Sequence, residues 1–286
     1  MGILYLVATP IGNLEDITLR ALRILRECDL IATEDTRTTG RLLTHFGIEK
    51  PLLSYFEHNK LQRLDQLLET LRRGNVALVS EAGTPLFSDP GYELVRAALA
   101  EGIPVVPVPG PSAIITALSV SGLPSDRFFF LGFLPRRAAS RRALLDEVSG
   151  IRATLVCFEA PHRLYETLAD MQAILGGSRP CAICRELTKR HEEVWRGTLA
   201  EAYAVWKERQ PRGEFTLVVG GASPSVAWDE TRVREALASL LSQGIDRSTA
   251  ARQVARVSGW SRRAVYTLAL QTSPQPEEGG EETSLY

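Results

Sequence analysis

No apolar run in this chain of 286 residues reaches the ~20 that a membrane-spanning helix needs, so no membrane partner is expected. Cysteine is scarce. Four in the whole sequence, with no charged-then-apolar leader, fit a reducing cytoplasm and exclude a disulfide scaffold. Leu6 stands where a Ser or Thr would have to follow Met1-Gly2 for myristoylation. Cys181-Ala182-Ile183-Cys184 has the spacing of a zinc or redox pair, but no second pair completes it. Flanked by Arg179-Pro180 and Arg185-Glu186, it reads as a short buried strand, whose positions i and i+3 point to opposite faces. His45, His58, His162 and His191 are not clustered, so no metal is expected. Three fingerprints are also absent: G-x-G-x-x-G after a strand, the P-loop G-x-x-x-x-G-K-[ST], and the G-x-S-x-G elbow. Their absence weakens, in turn, a nicotinamide or ordinary Rossmann methyltransferase reading, P-loop phosphoryl transfer and nucleophile-elbow chemistry. A net charge of 33 − 34 = −1 gives no global basic bias, so the placement of charge matters more than its sum.

What is present is punctuation at strand ends. The apolar run Val76-Ala77-Leu78-Val79 opens into Ser80-Glu81-Ala82-Gly83-Thr84-Pro85-Leu86-Phe87-Ser88-Asp89-Pro90-Gly91. Ile3 to Val7 runs into Ala8-Thr9-Pro10-Ile11-Gly12-Asn13, and Val105 to Val108 into Pro109-Gly110-Pro111-Ser112-Ala113. Three Gly/Pro loops at strand C-termini imply one crevice that reads its ligand largely by main chain. Strands alternate with helical patterns at 16–25, 61–73 and 92–100, which predicts a mostly parallel sheet. Leu30-Ile31-Ala32 ends in Thr33-Glu34-Asp35-Thr36-Arg37, which is either a solvated turn or part of a site.

Leu123-Pro124-Ser125-Asp126-Arg127 marks a boundary. A second α/β unit follows, with strands at Phe128–Phe133, Thr154–Phe158 and Phe215–Val219. Arg136, Arg137, Arg141 and Arg142 lie within seven residues with no acid among them, as either a solvated helix start or a phosphate-backbone contact. Ala222-Ser223-Pro224-Ser225 reads as a linker. Asp229 to Leu270 carries seven Arg and four acids in a paired-helix pattern resembling a helix-turn-helix, which suits a nucleic-acid partner. The expected organisation is an N-terminal α/β domain over 1–122, a second over 123–222, a helical RNA-docking segment over 223–271 and a disordered acidic tail over 272–286.

Thr9-Pro10-Ile11-Gly12-Asn13, Glu34-Asp35-Thr36-Arg37, Ala82-Gly83-Thr84-Pro85, Ser88-Asp89-Pro90-Gly91 and Pro109-Gly110-Pro111-Ser112-Ala113 together resemble the tetrapyrrole (corrin/porphyrin) methylase superfamily. Arg185-Glu186-Leu187-Thr188-Lys189 and Gly213-Glu214-Phe215 extend the likeness toward its ribosomal RNA branch, the 16S rRNA cytidine 2′-O-methyltransferases. It spans residues 3 to 270. The family usually has Asp at the position of Glu81, so an acid is kept. The resemblance implies an α/β fold of two domains, with S-adenosyl-L-methionine in the interdomain cleft, commonly in a homodimer. It also implies a small C-terminal helical, helix-turn-helix-like segment and 16S rRNA or the small ribosomal subunit as partner.

Carried over by motif, the cofactor contacts would be Ile11, Ala82, Gly83, Thr84, Phe87, Ser112 and Ala113, with Phe158, Leu187, Glu214 and Phe215 from the second domain. The candidate catalytic group is Glu34, Asp35, Arg37, His58 and Asn59, which face one crevice if the sheet is parallel. Glu34 or Asp35 would serve as base or orienter and Arg37 would hold a substrate phosphate. Two alternatives remain at this level. One is a tetrapyrrole methyltransferase of the same superfamily, which would not need the Arg-bearing helical segment. The other is a non-enzymatic helix-turn-helix regulator, which would not bind the cofactor.

Overall fold

The computed structural model describes residues 1–222 and 228–271. The chain divides into two compact units, Met1–Gly221 and Ala222–Tyr286. Most of the expected linker and all of the expected tail over 272–286 lie outside the described residues.

The first half of the larger unit alternates β1 (Leu4–Val7), α1 (Leu19–Glu27), β2 (Leu30–Thr33), α2 (Thr36–His45), β3 (Leu52–Ser54), α3 (Lys60–Arg73), β4 (Val76–Val79), α4 (Tyr92–Ala100), β5 (Val105–Val108) and α5 (Ala113–Ser121). Its five strands stand in the order β3-β2-β4-β1-β5, all parallel. β4 shows why so short a strand holds the centre. Val76 and Leu78 enter the core with Leu4, Leu67 and Leu94, while Ala77 and Val79 enter the opposite one with Val7, Ile24 and Ile31. Period-two side chains are thus buried on both faces, as a helix-covered parallel sheet requires.

α2 corrects the sequence reading. Thr33 to Arg37 is not a plain turn, because Thr36 starts a helix that Asp35 caps by accepting from Arg37 N at 2.8 Å.

The second half runs β6 (Phe128–Phe133), α6 (Ala138–Val148), β7 (Thr154–Glu159), α7 (Leu164–Leu175), β8 (Pro180–Arg185), β9 (Glu193–Thr198), α8 (Leu199–Lys207) and β10 (Phe215–Val219). The sheet order is β6-β7-β10-β8-β9, parallel between β6 and β7 and antiparallel elsewhere. One face packs on α6, α7 and α8; the other receives Ile114, Ala117 and Leu118 of α5, which joins the two halves. The two thiols of β8 separate accordingly, Cys181 into the first of these cores and Cys184 into the second. Burial pushes both up to about 12.

The arginine cluster at α6 is also corrected. Arg141 is 2% exposed, and its Nη2 lies 2.7 Å from Asp170 Oδ2, while Arg142 Nε donates to Asp170 Oδ1 at 2.6 Å. Two of the four arginines therefore neutralise a buried carboxylate on α7, and only Arg136 and Arg137 are left unengaged on the surface.

The smaller unit is a helical bundle of α9 (Glu230–Ser242), α10 (Arg247–Ser258) and α11 (Arg262–Gln271) around Val233, Leu237, Val254 and Val265. Asp229 caps α9 and Asp246 caps α10, while left-handed Gly259 turns the chain into α11. No described helix is long and apolar enough to cross a membrane.

Candidate active site

Because the first sheet is parallel, the loops after β1, β4 and β5 emerge at one edge, where they are stitched together. Thr9 N donates to Gly83 O at 2.9 Å and Gly83 N returns to Thr9 O at 3.0 Å. Thr84 Oγ1 donates to Pro111 O at 3.1 Å. Gly83 adopts φ +85°, and a Cβ there would stand 3.3 Å from Ile11 Cγ2, so a side chain would be strained and crowded.

The opposite wall comes from the second half. Glu186 Oε1 accepts from Glu214 N at 2.9 Å and from Lys189 Nζ at 3.0 Å, bracing the loop before β10. Gly213 adopts φ +87°, where a side chain would be strained, and a Cβ there would meet Glu186 Cδ at 2.4 Å and displace that brace. Positive φ at non-glycine residues occurs among the described residues at Leu86, Ser88, Glu186 and Thr188, all in the two loops that face each other here. Strain of this kind is held where the surrounding structure over-determines it.

Between these walls is a cavity of about 440 Å³. All eleven residues expected to hold the cofactor line it: Ile11, Ala82, Gly83, Thr84, Phe87, Ser112 and Ala113 from the first half, Phe158, Leu187, Glu214 and Phe215 from the second. Phe133 joins them, its ring 5.3 Å from that of Phe158.

Of the five candidate catalytic residues, only Glu34 lines the cavity. Asp35 is engaged by Arg37, whose side-chain and backbone hydrogen bonds hold its carboxyl down at about 2. Arg37 itself projects into solvent. Asn59 accepts from Phe56 N at 2.8 Å and donates to Ser54 O at 3.0 Å, closing the turn into α3. His58 is exposed beside Phe56.

The sequence reading gave no role to Asp89, although Ser88-Asp89-Pro90-Gly91 was among its motifs. Asp89 lines the cavity with Glu34 and Glu81. Burial first, then the charges of Glu34 and Glu81, push its carboxyl up to about 7 against the pull of the Ser80 hydroxyl. Glu34 is raised too, by burial and then by Glu81 and Asp35. Glu159 reaches the same cavity but is spent, accepting from Ala160 N, Thr167 Oγ1 and Arg163. Among the described residues no Lys, Arg or His lines this cavity.

A second cavity of about 440 Å³ shares Ile11, Glu81, Ala82 and Glu214 with the first and extends to Arg41 and Leu42 of α2 and to Lys189. Among the described residues no three His, Cys, Asp or Glu side chains gather as a metal site.

The family model described as Tetrapyrrole (Corrin/Porphyrin) Methylases matches residues 3–203. A ribosomal RNA small subunit methyltransferase I of Synechocystis sp. is 50% identical over 274 residues, covering 95% of this chain and 98% of that protein. The protein of the same name from Halalkalibacterium halodurans is 49% identical, covering 94% and 95%. Among solved structures, uroporphyrin-III C-methyltransferase from Thermus thermophilus complexed with S-adenosyl homocysteine superposes with a TM-score of 0.56 at 21% identity, covering 77% of this chain and 97% of that one. Diphthine synthase gives 0.63 at 15% identity, covering 77% and 90%. At such identities these two structures speak for the fold alone.

Proposed function

The chain belongs to the tetrapyrrole (corrin/porphyrin) methylase family, and on that premise we propose that it methylates small-subunit ribosomal RNA, with S-adenosylmethionine as donor and the ribose 2′-hydroxyl of a cytidine in 16S rRNA as acceptor. The observation that carries this reading is convergence: eleven residues drawn from six separate stretches of the chain meet in one cavity. Relatives near half identical over almost the whole chain carry the name of small-subunit rRNA methyltransferase.

The cavity suits a sulfonium donor. Five acidic residues line it; Glu159 and Glu214 are paired with Arg163 and Lys189, while Glu34, Glu81 and Asp89 face it with no described cation among its lining residues, so a positive ligand meets a favourable field. The absent side chain of Gly83 leaves room for a ligand against main chain, and Phe87, Phe133 and Phe158 offer aromatic faces to a flat base or to the positive sulfur. When bound, the donor supplies an electrophilic methyl group.

The rest falls to the protein. The stitched loops hold the reactants in line, an effect that supplies roughly 7–11 kcal/mol of a bimolecular barrier. Asp89, with Glu34 beside it, accepts the ribose proton, worth roughly 10²–10⁴-fold. Positioning therefore outweighs the base. Asp89 suits the base role better than Asp35, because a group near 7 is both partly ionised and basic at neutral pH, whereas Asp35 is spent on a cap.

The helical unit, with its excess of arginine, would dock the RNA. Phe128, Phe129 and Phe133, exposed on the edge strand β6, favour pairing with a second copy in a cytoplasmic homodimer. Incubation with labelled S-adenosylmethionine and either small ribosomal subunits or naked 16S rRNA, followed by nucleoside analysis, tests the proposal. Labelled 2′-O-methylcytidine is expected; label on a tetrapyrrole and none on RNA would overturn it.

A further inference from the structure

The two adjoining cavities share Glu81 and Glu214 and differ in the cations that only the second has. The first presents carboxylates and no cation, a field that repels a phosphodiester. The second has both Arg41 and Lys189 on its walls. They are not equivalent. Lys189 bridges Glu186 and Glu214 at 3.0 Å each, and its stem lies so close over Gly12 that a Cβ there would stand 2.3 Å from Lys189 Cγ. The side chain of Arg41 makes no hydrogen bond or ion pair with any described residue and is exposed on α2. Thr38, one turn earlier on the same helix face, brings an exposed hydroxyl to the same cavity. Arg37, the residue expected from sequence to meet phosphate, is instead clamped by Asp35.

Building on the methyltransferase reading, we infer that the second cavity seats the target nucleotide of the RNA, with Arg41 gripping a backbone phosphate and the ribose turned past the shared wall at Glu81 toward Asp89 in the first cavity. The volume of about 440 Å³ lies in the range of roughly 300–1,000 Å³ usual for small-ligand sites and accommodates one nucleotide. A free guanidinium suits a phosphate because its planar fork donates two parallel, charge-assisted hydrogen bonds. Geometry completes the case. Glu81 and Ala82 border both cavities, so a ribose in the second has its hydroxyl next to whatever occupies the first.

The test uses full-length protein carrying Arg41→Ala or Arg41→Lys, with thermal melting to verify the fold, calorimetry for S-adenosylmethionine and methylation kinetics on small-subunit RNA across a salt series. Arg41→Ala should raise KM for RNA by about tenfold or more and leave donor affinity within about twofold. It should also flatten the plot of log KM against log salt by about one unit, the change expected when one phosphate is no longer neutralised. Arg41→Lys should restore the salt slope and part of the affinity, since it returns the charge without the fork. Unchanged KM and salt slope in Arg41→Ala would overturn the inference while leaving the activity standing. Wild-type protein that binds the donor and leaves the RNA unmodified would overturn the functional reading, and the nucleotide seat with it.

Discussion

Asp35 grips Arg37 with both carboxylate oxygens, Oδ1 accepting from Nε at 3.1 Å and Oδ2 from Nη2 at 2.9 Å, while the same Oδ1 caps α2 through Arg37 N. The pair spends on helix initiation the two charges that adjoin Glu34 in sequence. Asp35→Ala should therefore lower the melting temperature by a few degrees at neutral pH and leave methyl transfer near the wild-type rate. The carboxyl is held low, at about 2, so its contribution exists above the ordinary aspartate range and disappears as the pH falls through about 2. Melts at pH 7 and pH 2 should show the difference between variant and wild type only at the former.

Asp89→Asn should cut kcat by about 10²-fold or more while changing donor affinity far less. In the wild type, kcat should climb with pH through about 7, because the ionised form takes the proton, and the variant should lose that limb. Stability runs the other way. A raised carboxyl binds its proton more tightly folded than unfolded, so the cost is absent below the ordinary value of 3.8 and complete above about 7. Melting curves should place the Asn variant above wild type at pH 8 and level with it at pH 3.5. A rate profile with no limb near 7 would return the base role to Glu34.

Replacement of Gly83 by Leu should abolish binding of S-adenosylmethionine. The position needs φ +85°, and its first side-chain carbon would already press on Ile11, with the remainder entering the cavity. Calorimetry measures the loss. Retention of wild-type affinity would move the donor out of this cavity.

Asp170 carries two arginines in a site that is nearly dry, its side chain 6% exposed and that of Arg141 2%. Asp170→Ala leaves a buried guanidinium without its carboxylate and should cost about 3–5 kcal/mol in urea unfolding. Donor affinity, measured below the new midpoint, should hold, because neither residue lines the cavity.

On the helical unit, Arg262 and Arg263 open α11 and are exposed. Double replacement by Ala should leave donor affinity unchanged and weaken RNA binding. The log–log salt slope should become shallower by about one unit for each phosphate that the variant no longer neutralises. Equal slopes would assign the segment to folding or self-association.

The central sheet was legible because its signals are local: Val76 to Val79 is apolar throughout, and Gly83, Pro85 and Gly110 punctuate the strand ends. The residues expected to hold the donor come from the resemblance, most of them lying inside its short motifs while Phe87 and Phe158 lie outside them, and all of them line the first cavity. α2 was hidden by its own composition, since Thr36, Thr38, Thr39 and Gly40 are poor helix formers; the helix rests on its cap and on Leu43 in the core. Without that helix, Arg37 and Arg41 could not be told apart. β9 was hidden because Arg190, His191 and Glu192 precede it with no Gly or Pro to mark a turn. The burial of Arg141 depends on Asp170, 29 residues away, and no local pattern carries such a partner.

The paired bonds between Thr9 and Gly83 form an antiparallel rung at the end of an otherwise parallel sheet. That rung ties the loop after β1 to the loop after β4, so the two cannot separate without breaking both hydrogen bonds together. The cavity's other boundaries include the stretch from Leu86 to Ser88 and the turn from Glu186 to Thr188, where Leu86, Ser88, Glu186 and Thr188 hold left-handed angles in place of such a rung.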